Sequence, residues 1–322
     1  MTAARAGAPA ATRTAAASPV AVDGLLLGLW LGLLGLGLVV VTSASMELTA
    51  SRHGDPWHHL VRHGIYLCLA LGAFALVLAV PTRSWRSLGV PAYFTALILL
   101  LLVLLPGVGR EVNGATRWIA LGPVSFQPSE AAKFLLVVYL AHYLARRRED
   151  VRSAFLGMLR PFAWLLLPAA LLLLEPDLGA TVVMLGAAGG AVLLAGARPR
   201  DLAVLVLLGA GALAAAVLGS DYRMARLIAF LDPWAVQDGD GYQLTQALIA
   251  FGRGEWFGVG LGEGLQKLFY LPEAHTDFIF AVIAEELGAV TALAVCLALA
   301  TLVLRGLGHG RRAEVRGDLF AA

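Results

Sequence analysis

Long uncharged apolar stretches dominate the chain, separated by short polar punctuation. They cover Gly24–Thr42, Gly64–Val80, Val90–Leu105, Phe162–Leu174, Leu178–Ala197 and Leu202–Gly219. Two further apolar stretches carry charge: Ala131–Leu144 contains Lys133, and Phe278–Leu304 contains Glu285 and Glu286. A membrane-spanning helix needs about 20 predominantly apolar residues. The pattern therefore predicts eight transmembrane helices in an all-α, polytopic integral membrane bundle. Phe162–Leu174 is short for a full crossing and contains Pro168, so a broken or supported span is expected there.

Composition agrees. Of 322 residues, 59% are hydrophobic and only 14% charged, too few charges to cover a soluble domain of this size. The net charge of +2 implies no large basic face, and nucleic acid is not an expected partner. Cys68 and Cys296 each lie inside an apolar run, which leaves neither a metal-binding CxxC nor a disulfide framework.

The division into regions follows. Residues 1–22, rich in Ala, Thr and Pro, read as a disordered cytoplasmic tail. Residues 23–305 form the transmembrane domain, and 306–322 a basic cytoplasmic stretch. Ser43-Ala44-Ser45 has the small side chains of a signal-peptidase site. The preceding run is, however, longer than a usual signal core, so an uncleaved first span is the favoured reading.

Lys and Arg positions set the orientation. With the N-terminus in the cytoplasm, fifteen of the 24 basic residues fall inside, including the cluster Arg146, Arg147, Arg148, Arg152 and Arg160. Both termini are then cytoplasmic. Three polar features fall on the outer face: the loop Pro106–Pro128, the turn Glu175-Pro176-Asp177, and residues 220–276.

That last segment is too long for a plain connector. Within it, Leu244, Ala247, Leu248 and Phe251 recur at helical spacing, predicting a helix in the membrane interface. Five glycines between Phe251 and Gly262 permit close backbone approach or repeated turning. They lack the GxxxxGK[ST] spacing of a phosphate loop. Glu273, His275 and Asp277 then crowd the mouth of the final span. Thr276 or Asp277 can cap that helix. Alternatively, a partly desolvated carboxylate there can accept a proton, with His275 as a neighbour that either shares the work or is a plain hydrogen-bonded surface group.

Glu130 and Lys133, three apart at a helix start, share a face and can pair. They are either a structural ion pair or the polar wall of a cavity for a lipid headgroup, with Arg117 as a further cation for phosphate. Glu175 and Asp177, and Glu285 and Glu286, are expensive near a bilayer and call for a water-filled pocket or cationic partners. Pairing with Arg or Lys of neighbouring helices is the favoured reading for both.

Taken together, the strings NGATRWI (Asn113–Ile119), QPSEAAK (Gln127–Lys133), EPDLG (Glu175–Gly179), AFGRGEWFGVGLG (Ala250–Gly262) and QKLFYLPEAHTDFIFAVIAEELG (Gln266–Gly288) resemble the SEDS family of shape, elongation, division and sporulation proteins, its division branch more than its elongation branch. The resemblance covers roughly residues 20–305. It implies a peptidoglycan glycosyltransferase of the inner (cytoplasmic) membrane at the division septum, polymerising lipid II on the periplasmic face with release of undecaprenyl pyrophosphate. It implies catalysis by Asp277 and a functional pair in Glu130 and Lys133. Arg117, Lys133, Arg253 and Lys267 become candidates to hold the pyrophosphate, with His275 nearby. No cofactor is certain, though a divalent cation (Mg or Mn) can substitute for a side-chain cation. Lipid II, a class B penicillin-binding protein and other divisome membrane proteins are the implied partners. A lipid II flippase and a non-catalytic scaffold remain as rival functions. The family pattern usually has ten spans. Eight are visible here, so two C-terminal helices are expected to be missing.

Overall fold

A computed structural model describes residues 23–322 apart from Pro56, Asn113 and Pro123; the tail expected at 1–22 lies outside the described residues. Each of the eight apolar runs lies in a helix, to within a few residues at its ends. The helices are α1 (Gly24–His53), α2 (His58–Ala79), a short α3 (Thr82–Ser87), α4 (Gly89–Leu104), α5 (Pro128–Arg146), a short α6 (Arg148–Ser153), α7 (Phe155–Leu174), α8 (Leu178–Leu194), α9 (Pro199–Leu218), α10 (Asp221–Leu231), α11 (Tyr242–Gly254) and α12 (Ile279–Val315). By length and composition α1, α2, α7 and α12 are each able to cross a membrane, and α4 and α8 are shorter apolar helices. Apolar side chains coat the outside, as a hydrocarbon solvent requires. Leu76, Leu78, Leu207, Leu218 and Leu304 are among the most exposed residues.

Among the described residues three buried nuclei hold the bundle; the smallest joins Leu144 of α5, Val151 of α6, Met158 of α7 and Val192 of α8, and the other two position the polar clusters. The first of these two joins Tyr93, Ala96 and Leu100 of α4 to Leu136 and Leu140 of α5, Leu165 and Leu172 of α7, and Ala180, Met184 and Ala188 of α8. The second joins Val40 and Ala44 of α1 to Ala247 and Ala250 of α11, Leu271 and Ala274 of the following loop, and Ala281, Val282 and Ile283 of α12. Polar contacts tie the two regions at both ends. Ser125 N–H donates to the Tyr66 hydroxyl on α2 at 2.9 Å, and Arg148 pairs with Glu314 near the end of α12.

Several expectations change. The seventh helix begins at Phe155, so the short run Phe162–Leu174 becomes 20 residues with Pro161 and Pro168 buried inside it. Arg160 and Pro161 had truncated the apolar run without ending the helix. The loop Pro106–Pro128 is an antiparallel meander, β1 (Gly109–Val112), β2 (Ala115–Leu121) and β3 (Val124–Phe126). Its hairpins turn at Gly114 and Gly122, both at positive φ, the conformation tight hairpins demand. The fold is thus a helix bundle with one small sheet at its rim.

In α11 the buried positions are Thr245, Ala247, Ala250 and Gly254. Leu248 and Phe251 remain exposed. The small-residue stripe packs against α12 within the second nucleus, while the exposed Leu248 and Phe251 keep an apolar face outward. The chain also runs as one helix past residue 305 to Val315, where the end of the transmembrane domain was expected.

The final span is broken near its start. Gly288 adopts φ 81°, ψ 172°, outside helical geometry. The glycine-rich string fills the break. Val259 N–H donates to Glu285 C=O at 2.9 Å and Gly260 N–H to Glu286 C=O at 3.1 Å, while Ala289 N–H donates to Glu255 C=O at 2.9 Å and Val290 N–H to Trp256 C=O at 3.2 Å. The loop thus takes up carbonyls and amides that the break frees. A Cβ on Gly254, Gly258 or Gly288 would collide with the facing backbone, which explains why glycine recurs here.

Candidate functional site

The meander, the turn between α7 and α8, and the start of α5 converge. Arg117 of β2 donates through Nε to the carbonyl of Glu175 at 3.0 Å and through Nη2 to the carbonyl of Pro176. It therefore holds the turn by its backbone. Asp177 caps α8, accepting from Ala180 N–H at 3.0 Å. Its other oxygen lies 3.4 Å from both Gln127 Nε2 and Ser129 Oγ at the start of α5. Glu175 is fully buried, and neither carboxylate oxygen has a hydrogen-bond partner among the described residues. Burial, reinforced by Asp177, pushes its pKa up to about 7, against the opposing pull of Arg117.

Glu130 and Lys133 form the expected pair, with Lys133 Nζ 2.8 Å from Glu130 Oε1. Glu130 is 61% exposed and Lys133 23%, so the ammonium is the more sheltered partner. Among the described residues, no hydrogen bond or ion pair joins this pair to Asp277.

The second polar cluster is deeper and was only partly foreseen. Glu285 and Glu286, both fully buried, occupy the last turn of α12 before its break. Arg253 Nη1 lies 2.9 Å from Glu285 Oε1, and the amides of Leu265 and Gln266 donate to the two oxygens of Glu285 at 3.0 and 3.2 Å. Lys267 Nζ lies 2.6 Å from Glu286 Oε1 and 2.9 Å from Ser43 Oγ. Ser43 in turn donates to Glu286 Oε2 at 2.9 Å. The favoured reading of Glu285 and Glu286, pairing with neighbouring cations, matches this geometry.

Arg253 and Lys267 entered as candidates to hold pyrophosphate. Lys267 is instead buried against a carboxylate, so its charge is already compensated. Arg253 is partly exposed but engaged with Glu285. Ser43, in the small-residue string Ser43-Ala44-Ser45 that an uncleaved first span was favoured to contain, lies within α1, which buries Ser43, Ala44 and Ser45. The cluster of small hydroxyl residues Thr42, Ser43 and Ser45 at the end of an apolar run was the available signal. A cavity of about 580 Å³ opens beside Lys267 and Ser43, lined by apolar side chains such as Leu38, Met46, Leu60 and Leu261 together with Thr42 and Glu47 of α1.

Asp277 stands in the irregular turn ahead of α12 and is exposed. It does not cap that helix. The N-cap is Phe278, without a side-chain bond, and Phe278 N–H turns back to Glu273 C=O at 3.3 Å. Thr276 Oγ1 likewise bonds Glu273, at 3.0 Å from its Oε2. Among the described residues, the Asp277 carboxylate has no hydrogen-bond or ion-pair partner. His275, half-buried, packs edge-on against His59 of α2 with ring centroids 5.6 Å apart. Among the described residues, no group of three or more His, Cys, Asp or Glu side chains converges on a metal-sized site.

These features define a polytopic membrane protein that gathers acids, arginines and lysines into polar clusters within an apolar helix bundle. The chain belongs to the SEDS family: residues 24–322 match the family of FtsW, RodA and SpoVE, described as cell cycle protein. It is 51% identical to the probable peptidoglycan glycosyltransferase FtsW of Pseudomonas fluorescens (strain SBW25), over 91% of this chain and 72% of that one. Identity to the protein of the same description from Nitrosococcus halophilus (strain Nc4) is 50%, over 93% and 77%. Among solved structures it resembles a chain of a peptidoglycan synthase complex that coordinates polymerization and crosslinking. The TM-score is 0.73 at 29% identity, covering 94% of this chain and 82% of that one. The rod shape determining protein RodA of Thermus thermophilus aligns with a TM-score of 0.64 at 30% identity, over 94% and 80%.

Proposed function

We propose that this protein is a peptidoglycan glycosyltransferase of the division branch, polymerising lipid II in the bacterial cytoplasmic membrane. The observation that carries the mechanism is Asp277: an exposed carboxylate, without a partner among the described residues, at the mouth of α12 and inside the string that most specifically resembles the family. Asp277 takes the proton from the 4-hydroxyl of an acceptor GlcNAc. That oxygen attacks C1 of the donor MurNAc, the C1–O bond to pyrophosphate breaks, and undecaprenyl pyrophosphate leaves with inversion at C1. A single displacement needs one positioned base and cations for the leaving group. Lys133, sheltered and paired on one side only, and Arg117 are the candidates at the other polar cluster.

The bias of arginines toward one set of loops supports cytoplasmic termini and an active site on the outer face. The likeness to a chain of a peptidoglycan synthase complex supports a class B penicillin-binding protein as partner, with other divisome proteins around it at the septum.

The test is glycan-chain formation from purified lipid II in detergent, with wild type and Asp277→Asn. A base of this kind contributes about 10²- to 10⁴-fold, and the variant should lose rate on that scale while remaining folded. Equal polymerisation by both would remove Asp277 from the mechanism. Translocation of labelled lipid II in liposomes without polymerisation would instead make the protein a flippase.

A further inference from the structure

Residues 265–278, which carry Asp277, form a loop that begins and ends on the same helix. Its far end runs directly into α12 at Ile279. Its near end is fastened two turns further along α12, where Glu285 accepts the amides of Leu265 and Gln266 and Glu286 accepts Lys267. Six to seven residues of helix, about 10 Å, therefore separate the two attachment points. Between them Leu271 and Ala274 are buried in the second nucleus.

The loop is held under strain. Phe269 has φ 68° and Glu273 φ 55°, a region that L-residues with side chains occupy only when their surroundings impose it. Nothing else holds Asp277 directly, since its carboxylate has no partner among the described residues. Its position is thus set by where the loop is fastened. Gly264 stands against the fastening point, and a Cβ there would press on the side chains of both Glu285 and Glu286.

Accordingly, we propose that Lys267, Glu286 and Glu285 are positioning residues: a buried clamp that closes the 265–278 loop onto α12 and so places the Asp277 carboxylate. Ser43 carries the clamp across to α1. This inference rests on Asp277 being the base, and it assigns Lys267 a role different from binding pyrophosphate. A clamp acts on the placement of the base, so its loss lowers kcat and leaves lipid II binding largely intact. A pyrophosphate ligand acts on substrate binding.

The experiment replaces the ion pair by apolar side chains, Lys267→Met with Glu286→Leu, in the full chain. It compares lipid II polymerisation, lipid II KM and hydrogen–deuterium exchange of residues 267–278 with wild type. Removing both charges together avoids stranding one of them in the interior. The expected result is a folded protein with faster exchange confined to this loop. Its kcat should fall between about tenfold and a hundredfold, the scale of a misplacement near 1 Å, with KM within about twofold of wild type. Glu285→Gln, which keeps the side-chain shape but puts a donor where one amide needs an acceptor, should shift the same quantities in the same direction by less.

Unchanged kcat and exchange in both variants would overturn the clamp. So would a loss confined to KM, which would return Lys267 to the substrate. Asp277→Asn, measured alongside, separates the two layers. Inactivity of that variant together with a fully active double variant sinks the clamp alone, whereas an active Asp277→Asn sinks both readings.

Discussion

Glu175 and the pair Glu285–Glu286 are all fully buried acids beside interruptions in apolar helices, but their surroundings differ in kind. Around Glu285 and Glu286 every charge is answered, by Arg253, Lys267, Ser43 and two backbone amides. Beside Glu175 the cation Arg117 bonds carbonyl oxygens instead, and among the described residues the carboxylate oxygens have no partner. The first arrangement fixes a backbone in place using ionised groups. The second favours a carboxyl that keeps its proton. Burial alone therefore says little about what an acid does; the identity of its donors decides it.

The largest effect should come from breaking only one side of the satisfied cluster. Lys267→Met leaves Glu286 in the interior with Ser43 as its remaining polar partner. Stranding a buried charge costs about 3–5 kcal/mol, so thermal unfolding in detergent should show a large loss of stability. The paired replacement Lys267→Met with Glu286→Leu should recover most of it. Equal losses in the single and double variants would mean that packing, not charge, holds this region.

Next in size are the glycines that let the loop enter the break in α12. Gly258→Ala forces a side chain to φ 82° and against the carbonyl of Glu286. Strain of this kind costs about 1–3 kcal/mol. Gly252, on α11 with nothing within 4 Å of a built Cβ, is the control. Gly252→Ala should be neutral or stabilising by about 0.5–1 kcal/mol. Thermal unfolding of the two variants side by side would reveal whether the glycine string serves this one junction or flexibility in general.

This contrast also marks what could be read in the chain. The apolar runs announced the helices because uncharged apolar runs approaching 20 residues leave few alternatives in a membrane. Glu285 and Glu286 announced a need for cations for the same reason. Their partners could not be read off, because Ser43 lies 243 positions from Glu286 and no local pattern joins them. The glycines were visible but their purpose was not, since it depends on a helix that breaks at Gly288. Thr276 and Asp277 misled as caps because their chemistry suits that role, while the backbone carbonyl of Glu273 occupies it. Strands of three to seven residues, most of them half-buried, likewise gave no alternation strong enough to distinguish the meander from a loop.

Acid–base behaviour sharpens the comparison further. Glu175 has its pKa raised from 4.5 to about 7. The folded state therefore holds this proton more tightly than the unfolded chain. Stability is fully retained below about pH 4.5, declines as pH rises toward 7, and levels off above it. A shift of this size corresponds to about 3 kcal/mol at most. Glu175→Gln removes the titration, so it should match wild type near pH 5 and exceed it in stability near pH 8. Denaturation across that range tests this, and parallel pH profiles for the two proteins would show that Glu175 is ionised and paired after all.

Glu130 and Lys133 should give the smallest effect on stability. An exposed i,i+3 pair contributes about 0.2–0.5 kcal/mol, and with Glu130 mostly in solvent neither single reversal should unfold the protein. Polymerisation is the more telling readout, because stability and function separate here. If the two side chains matter as a pair, Glu130→Lys with Lys133→Glu should recover more activity than either reversal alone. If Lys133 meets the substrate's phosphates, the double reversal places a carboxylate where the ammonium was, and activity stays lost although the pair has re-formed. Recovery would make this cluster a structural counterpart of the Lys267–Glu286 clamp. Failure to recover, in a protein as stable as wild type, would separate them: one ion pair that positions the chain, and one whose cation acts on the substrate.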